Sequence, residues 1–127
     1  MKTNRTFSDE LLTVLKKSKS VRIRAGTGEH RFIGIWFVML RKRVFARSWS
    51  IKTTGWYRTF LVEPRGAIQV GKTEVVVRAM PIKSKRLRDA VDRAYLERYT
   101  KAWELKYAKG LTAEKCRATT VELQPVS

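Results

Sequence analysis

Several things are scarce in this 127-residue chain, and each scarcity excludes something. Cysteine occurs once, at Cys116, so no disulfide can close within the chain and a reducing compartment is expected. Histidine also occurs once, at His30, and one His with one Cys cannot supply the usual ligand set of a zinc site. No metal is therefore expected. Acidic residues number 11 against 28 Lys and Arg, which leaves a formal net charge of +17. Long apolar runs are missing too: the longest, Ile33 to Leu40, falls far short of the roughly 20 residues a membrane-spanning helix needs. The polar, charged start from Met1 to Ser20 does not read as a signal peptide, so a cytoplasmic protein without membrane partners is expected.

What is present suits one ordinary domain over residues 1–127. Hydrophobic residues make up 43% of the chain and include four Trp, four Tyr and five Phe, enough for a core without staples. The positive charge is spread along the chain, with twelve basic and three acidic residues in the first fifty, so it is not a basic tail. Such a surface attracts phosphate, whether of nucleic acid or of a cofactor. Most of these side chains are accounted for as solvated basic faces.

The apolar pattern changes period along the chain. Thr6 or Ser8 can cap a first helix carrying Leu11, Leu12 and Leu15 on one stripe, with Asp9 and Glu10 at its start. Val21-Arg22-Ile23-Arg24 then alternates as a half-buried strand does. Gly26-Thr27-Gly28 marks a turn. A strand over 31–40, a tight Arg41-Lys42-Arg43 connection and a strand over 44–50 complete an antiparallel meander. Trp56, Tyr57, Phe60 and Leu61 have helical spacing, with Thr54 as a cap and Pro64 as a stop. Strands over 67–70 and 74–82 pair through Gly71-Lys72. Ser84 opens a long helix through Leu87, Val91, Ala94, Tyr95 and Tyr99, and Thr119 to Leu123 returns as the last strand. Strands without intervening helices make an α+β antiparallel barrel, not a parallel sheet.

One motif misleads. Gly66 to Thr73 satisfies the phosphate-loop pattern, but its spacer residues and the following Glu74-Val75-Val76-Val77 are strand-like. A phosphate loop needs a helix there, so a hairpin turn is expected instead. Asp89 and Asp92, one helical turn apart among Arg86, Arg88 and Arg93, read as a surface ion-pair network.

The informative segment runs from Val44 to Arg58. Arg47, Ser48, Ser50, Lys52, Thr53 and Thr54 gather cations and hydroxyls ahead of a helix start, the donor chemistry a phosphate needs. Trp49, Trp56 and Tyr57 add flat apolar surfaces for an aromatic ring. A basic strand edge with core aromatics would carry the same residues.

This series resembles the split-barrel flavin-binding superfamily, which includes flavin reductases, pyridoxamine-phosphate oxidases and deazaflavin-dependent nitroreductases. Gly55-Trp56-Tyr57-Arg58, Pro64, Ile68-Gln69-Val70 and Val75-Val76-Val77-Arg78-Ala79 are similar to the deazaflavin branch. Ala46-Arg47-Ser48, Trp56-Tyr57-Arg58, Ala94-Tyr95…Tyr99 and Thr119-Thr120-Val121-Glu122-Leu123 are closer to an uncharacterised bacterial family of the same superfamily. The resemblance implies an antiparallel split β-barrel with an N-terminal helix and a long C-terminal helix. It also implies a homodimer that binds FMN or a deazaflavin for an oxidoreductase reaction. Arg47, Ser48, Lys52 and Thr53 would face the cofactor phosphate, Trp56 and Tyr57 would wall the site, and Arg58 could neutralise a second anionic group. The stretch from Ser50 to Gly55 lacks the longer glycine-containing loop of many cofactor-binding members.

Two other functions fit the same residues. Arg22, Arg24, Arg31 and Arg47 with Trp49 could form a phosphate-contacting, base-stacking surface for nucleic acid. Alternatively, the barrel could be a dimeric scaffold that has lost its cofactor.

Overall fold

In a computed structural model the described residues are 6–26, 31–49 and 55–126. Helix α1 (Asp9–Lys17) begins at Ser8, whose Oγ accepts the Leu11 amide at 3.3 Å, and it buries Leu12 and Leu15. Six strands follow: β1 (Ser20–Ala25), β2 (Ile33–Leu40), β3 (Arg43–Ala46), β4 (Arg65–Val70), β5 (Thr73–Pro81) and β6 (Val121–Pro125). Between β3 and β4 lies α2 (Trp56–Val62). Helices α3 (Lys85–Arg98), α4 (Ala102–Leu111) and α5 (Glu114–Arg117) separate β5 from β6. No described helix is long and apolar enough to cross a membrane.

The strands close into a barrel in the order β1-β2-β3-β6-β5-β4, antiparallel at every junction. Side-chain alternation divides the apolar residues into two cores. Val21, Ile23, Phe37, Val44, Ala46, Ile68, Val77 and Leu123 fill the barrel, plugged by Leu12, Leu15 and Phe60 from α1 and α2. Val38 and Phe45 point outward from the same strands, to a second core with Val91 and Tyr95 of α3, its C-cap Tyr99, and Ala108 and Leu111 of α4.

The expected α+β barrel is thus the fold, and several boundaries move. The third strand stops at Ala46, not Ser50, because its partner β6 supplies pairing only from Val121 to Leu123. Helix α2 takes Gly55 as its N-cap without a side-chain bond; Thr54, expected in that role, lies outside the described residues. The last strand starts at Val121, since the Thr119 and Thr120 hydroxyls turn back to the carbonyls of Cys116 and Arg117. The chain from Gly66 to Thr73 is a hairpin, with Gly71 at φ 61 in its turn. Gly66 itself has no room for a side chain: a Cβ would sit 2.4 Å from the Arg24 carbonyl on β1.

Strand β2 changes partners midway. Ile33 to Trp36 pair with β1, whereas Phe37 to Leu40 pair with β3. Each half of β2 therefore has one edge that no strand among the described residues covers.

Candidate functional site

The parting of β2 from β3 opens a cavity of about 490 Å³. One wall is Ile33 to Trp36 of β2. The other is the chain that leaves β3, Arg47 to Trp49, with Gly55 and Trp56 at the start of α2 and Tyr107 and Leu111 of α4. Its volume is in the range of sites that take a small organic ligand, and its lining is mainly apolar and aromatic, as such sites are.

Indoles and phenols dominate the surface. Behind the lining, Trp36 lies flat on the buried ring of Tyr99, with centroids 3.9 Å apart and planes 2° from parallel. Tyr107 meets both Trp36 and Trp49 edge-on, at 6.4 and 6.1 Å. Trp49 is half exposed, at 50%. Its seat is Gly110: a Cβ there would come within 2.3 Å of the indole. A glycine inside a helix weakens it, and here it leaves room for the tryptophan.

Beneath the apolar lining sits a web of charge. The Arg47 side chain is 0% exposed. Its Nε donates to Thr120 Oγ1 at 2.8 Å and its Nη2 to the Arg88 carbonyl at 2.8 Å. Nη1 donates to Asp92 Oδ1 at 2.5 Å and to the Leu111 carbonyl at 2.9 Å. Asp92 also takes Arg117, and Arg117 reaches Asp89 at 3.0 Å. Lys85 and Arg117 hold the Asp89 carboxyl below its ordinary pKa. The network expected around Asp89 and Asp92 exists, but its cations are Arg47, Arg117 and Lys85, not Arg86, Arg88 and Arg93.

The expected site residues divide accordingly. Arg47, Ser48 and Trp56 line the cavity. Arg47 is otherwise engaged than expected: four of its five guanidinium N–H groups donate to protein acceptors and its side chain is fully buried, so it ties the end of β3 to α3, α4 and the start of β6. Ser48 is buried, and its amide donates to Thr119 Oγ1 at 2.8 Å. Tyr57 packs against the barrel core and points its hydroxyl at the Ala118 carbonyl, 3.3 Å away; it does not line the cavity. Arg58 is exposed on α2. Ser50, Lys52, Thr53 and Thr54 lie outside the described residues. Sequence reasoning missed Trp36, Tyr107 and Leu111, because the partner change in β2 and the existence of α4 leave no local signal. Among the described residues no group of three or more His, Cys, Asp or Glu is placed to hold a metal.

Residues 11–123 match the family model described as an uncharacterized protein conserved in bacteria, DUF2255. The chain belongs to DUF2255. No curated protein matches this DUF2255 chain by sequence. Among solved structures, HutZ, the heme storage protein from Vibrio cholerae, superposes with a TM-score of 0.69 at 16% identity, covering 96% of the DUF2255 chain and 92% of HutZ. An FAD-binding protein from Mesorhizobium loti gives 0.57 at 16%, covering 98% and 92% of the two chains. A putative pyridoxamine 5'-phosphate oxidase from Listeria innocua gives 0.59 at 11%, covering 93% and 90%. This DUF2255 chain therefore has the split-barrel fold of these structures.

Proposed function

We propose that this protein binds a planar, phosphate-bearing aromatic cofactor of the FMN or deazaflavin type in the cavity beside β2 and supports an oxidoreductase reaction with it. The observation that carries this reading is the cavity's lining: three indoles, of Trp36, Trp49 and Trp56, with the Tyr107 phenol around one opening large enough for a ring system. Such a cofactor supplies the hydride or electron chemistry. The chain's own side chains stack on the ring, exclude water from its faces and fix its orientation. Chemistry assigns the phosphate to the stretch from Ser50 to Thr54, where Lys52 and three hydroxyl side chains follow one another closely, with Arg58 nearby in sequence. A homodimer belongs to the proposal. Half-exposed Trp49 and Tyr107 and the more exposed Trp103 leave apolar surface beside the cavity that a second copy would cover.

The nucleic-acid reading loses two of its four arginines. Arg47 is in the core, and Arg24 is paired with Glu74 at 3.2 Å while lying over the Phe32 ring.

Titration with FMN and with a deazaflavin, followed by indole fluorescence, tests the proposal. Saturable quenching that changes little between about 50 and 200 mM salt is expected, because phosphate-dominated nucleic-acid binding falls steeply over that range. Trp49→Ala should weaken it by about 1 kcal/mol, the worth of one stacked aromatic pair. Absence of quenching together with salt-labile oligonucleotide binding would replace this reading with the nucleic-acid one.

A further inference from the structure

The point where β2 changes partners is occupied by two hydroxyls from the C-terminal end of α3. Tyr95, in the last turn of α3, and Tyr99, its C-cap, are both buried, and both rings pack in the outer core. In the β2–β3 ladder the last pair is Phe37 with Ala46, so the next would be Trp36 with Arg47. There the Arg47 amide donates to the Tyr95 hydroxyl at 3.1 Å, and that hydroxyl donates to the Trp36 carbonyl at 3.3 Å. In an antiparallel ladder the same amide would donate straight to the same carbonyl. The phenol has replaced one rung.

The opposite edge of β2 repeats the arrangement. The β1–β2 ladder ends at Ser20 with Trp36, so the next pair would be Lys19 with Phe37. The Phe37 amide donates to the Tyr99 hydroxyl at 3.1 Å, and that hydroxyl reaches the Lys19 carbonyl at 2.5 Å and the Phe37 carbonyl at 2.9 Å. A cavity accompanies each interruption. The large one lies between Trp36 and Arg47, whereas a smaller one of about 220 Å³ lies against Val38, Met39 and Arg98 on the other side.

We propose that the Tyr95 hydroxyl is a spacer that sets the width of the large cavity, a positioning residue that holds β3 off β2 and admits a flat ring between Trp36 and Trp49. The proposal rests on the ring-binding reading above for its ligand, but not for its geometry. Paired strands lie about 4.8 Å apart, which leaves no gap for a ring; a hydroxyl bridging amide and carbonyl forces them wider at one point. Beyond that point Ile35 and Ser48 face each other across the opening instead of pairing. The hydroxyl also satisfies two main-chain groups that would otherwise be buried without partners. Removing it therefore gives those groups one ready alternative, which is each other.

Tyr95→Phe keeps the ring and deletes the spacer; Tyr99→Phe deletes the equivalent hydroxyl on the far flank and reports what loss of such a bond does by itself. In the crystal structure of Tyr95→Phe we expect the Arg47 amide within about 3 Å of the Trp36 carbonyl, the length of a direct bond, and a narrowed cavity. FMN should bind that variant at least tenfold more weakly than wild type, with Tyr99→Phe near wild type. A water taking the hydroxyl's place at unchanged cavity width would overturn the proposal. So would equal loss of affinity in both variants, or failure of Tyr95→Phe alone to fold. If wild type itself does not bind FMN, the cofactor reading fails, while the crystal structure of Tyr95→Phe still decides whether the hydroxyl is a spacer.

Discussion

The Arg47 side chain is fully buried, and its acceptors belong to α3, α4 and the residue before β6. An arginine leaving a strand into a segment rich in hydroxyls reads as a phosphate ligand, because local chemistry is all that a linear pattern offers. The partners that claim it are Asp92, Arg88, Leu111 and Thr120, between 41 and 73 positions downstream. Only the fold assembles them. Removing the carboxylate would leave a guanidinium buried beside two carbonyls and a hydroxyl, all neutral, so Asp92→Ala should lower stability by about 3 kcal/mol. Urea unfolding should show this as a lower midpoint with an unchanged slope. A midpoint within error of wild type would mean that the neutral acceptors suffice. Trp49 makes the opposite case. Its ring was legible as a flat surface near the site, and it stands at the cavity's edge.

At the scale of elements, legibility followed pattern. Helix α1 and helix α3 carry a serine cap and an apolar stripe, and both formed where these predict, with Ser84 Oγ accepting the Leu87 amide at 3.2 Å. The β4–β5 hairpin declared itself through period-two alternation and Gly71. Helix α4 did not, because it inverts the usual rule: Trp103 and Tyr107 are exposed while Glu104 is buried, its carboxylate accepting the Lys101 amide at 3.2 Å. Gly110 added a further helix-averse signal. Its replacement by alanine separates local propensity from tertiary fit. Gly110→Ala should strengthen α4 by about 1 kcal/mol if propensity alone acted, but the new methyl would occupy the seat of the Trp49 indole. We expect the indole to be displaced: lower stability and a shift in tryptophan emission, measured together by thermal unfolding and fluorescence. Higher stability with unchanged emission would show that the ring relaxes freely.

The whole molecule carries 28 basic side chains against 11 acidic ones, so its few carboxylates matter more as protons are added. Asp89 is held below its ordinary value of 3.8, first by the hydrogen bond from Lys85 and then by that from Arg117. A depressed folded-state pKa contributes stability that is fully present above the unfolded value and is lost as pH falls through the folded one. The difference in Tm between wild type and Asp89→Asn should therefore be constant from neutral pH to about 5 and close below 3.8. A gap that persisted at the lowest pH would place the effect in packing instead of charge. Tyr95 works from the other end of the scale, since burial raises its phenol well above the ordinary value. Its neutral hydroxyl, and with it the bridge to Trp36 and Arg47, survives in any ordinary buffer.

Closing six strands into a ring also removes the two terminal edges that an open sheet would present. The interruptions on either side of β2 are what remain of exposed edge at that strand, and each begins with a phenol hydroxyl already bonded to the groups a foreign strand would seek. A strand from a neighbouring molecule would have to dislodge a buried tyrosine to start pairing there. The same two residues that part the barrel thus guard it against aggregation, so an opening suited to a flat ring need not become a template for cross-β growth.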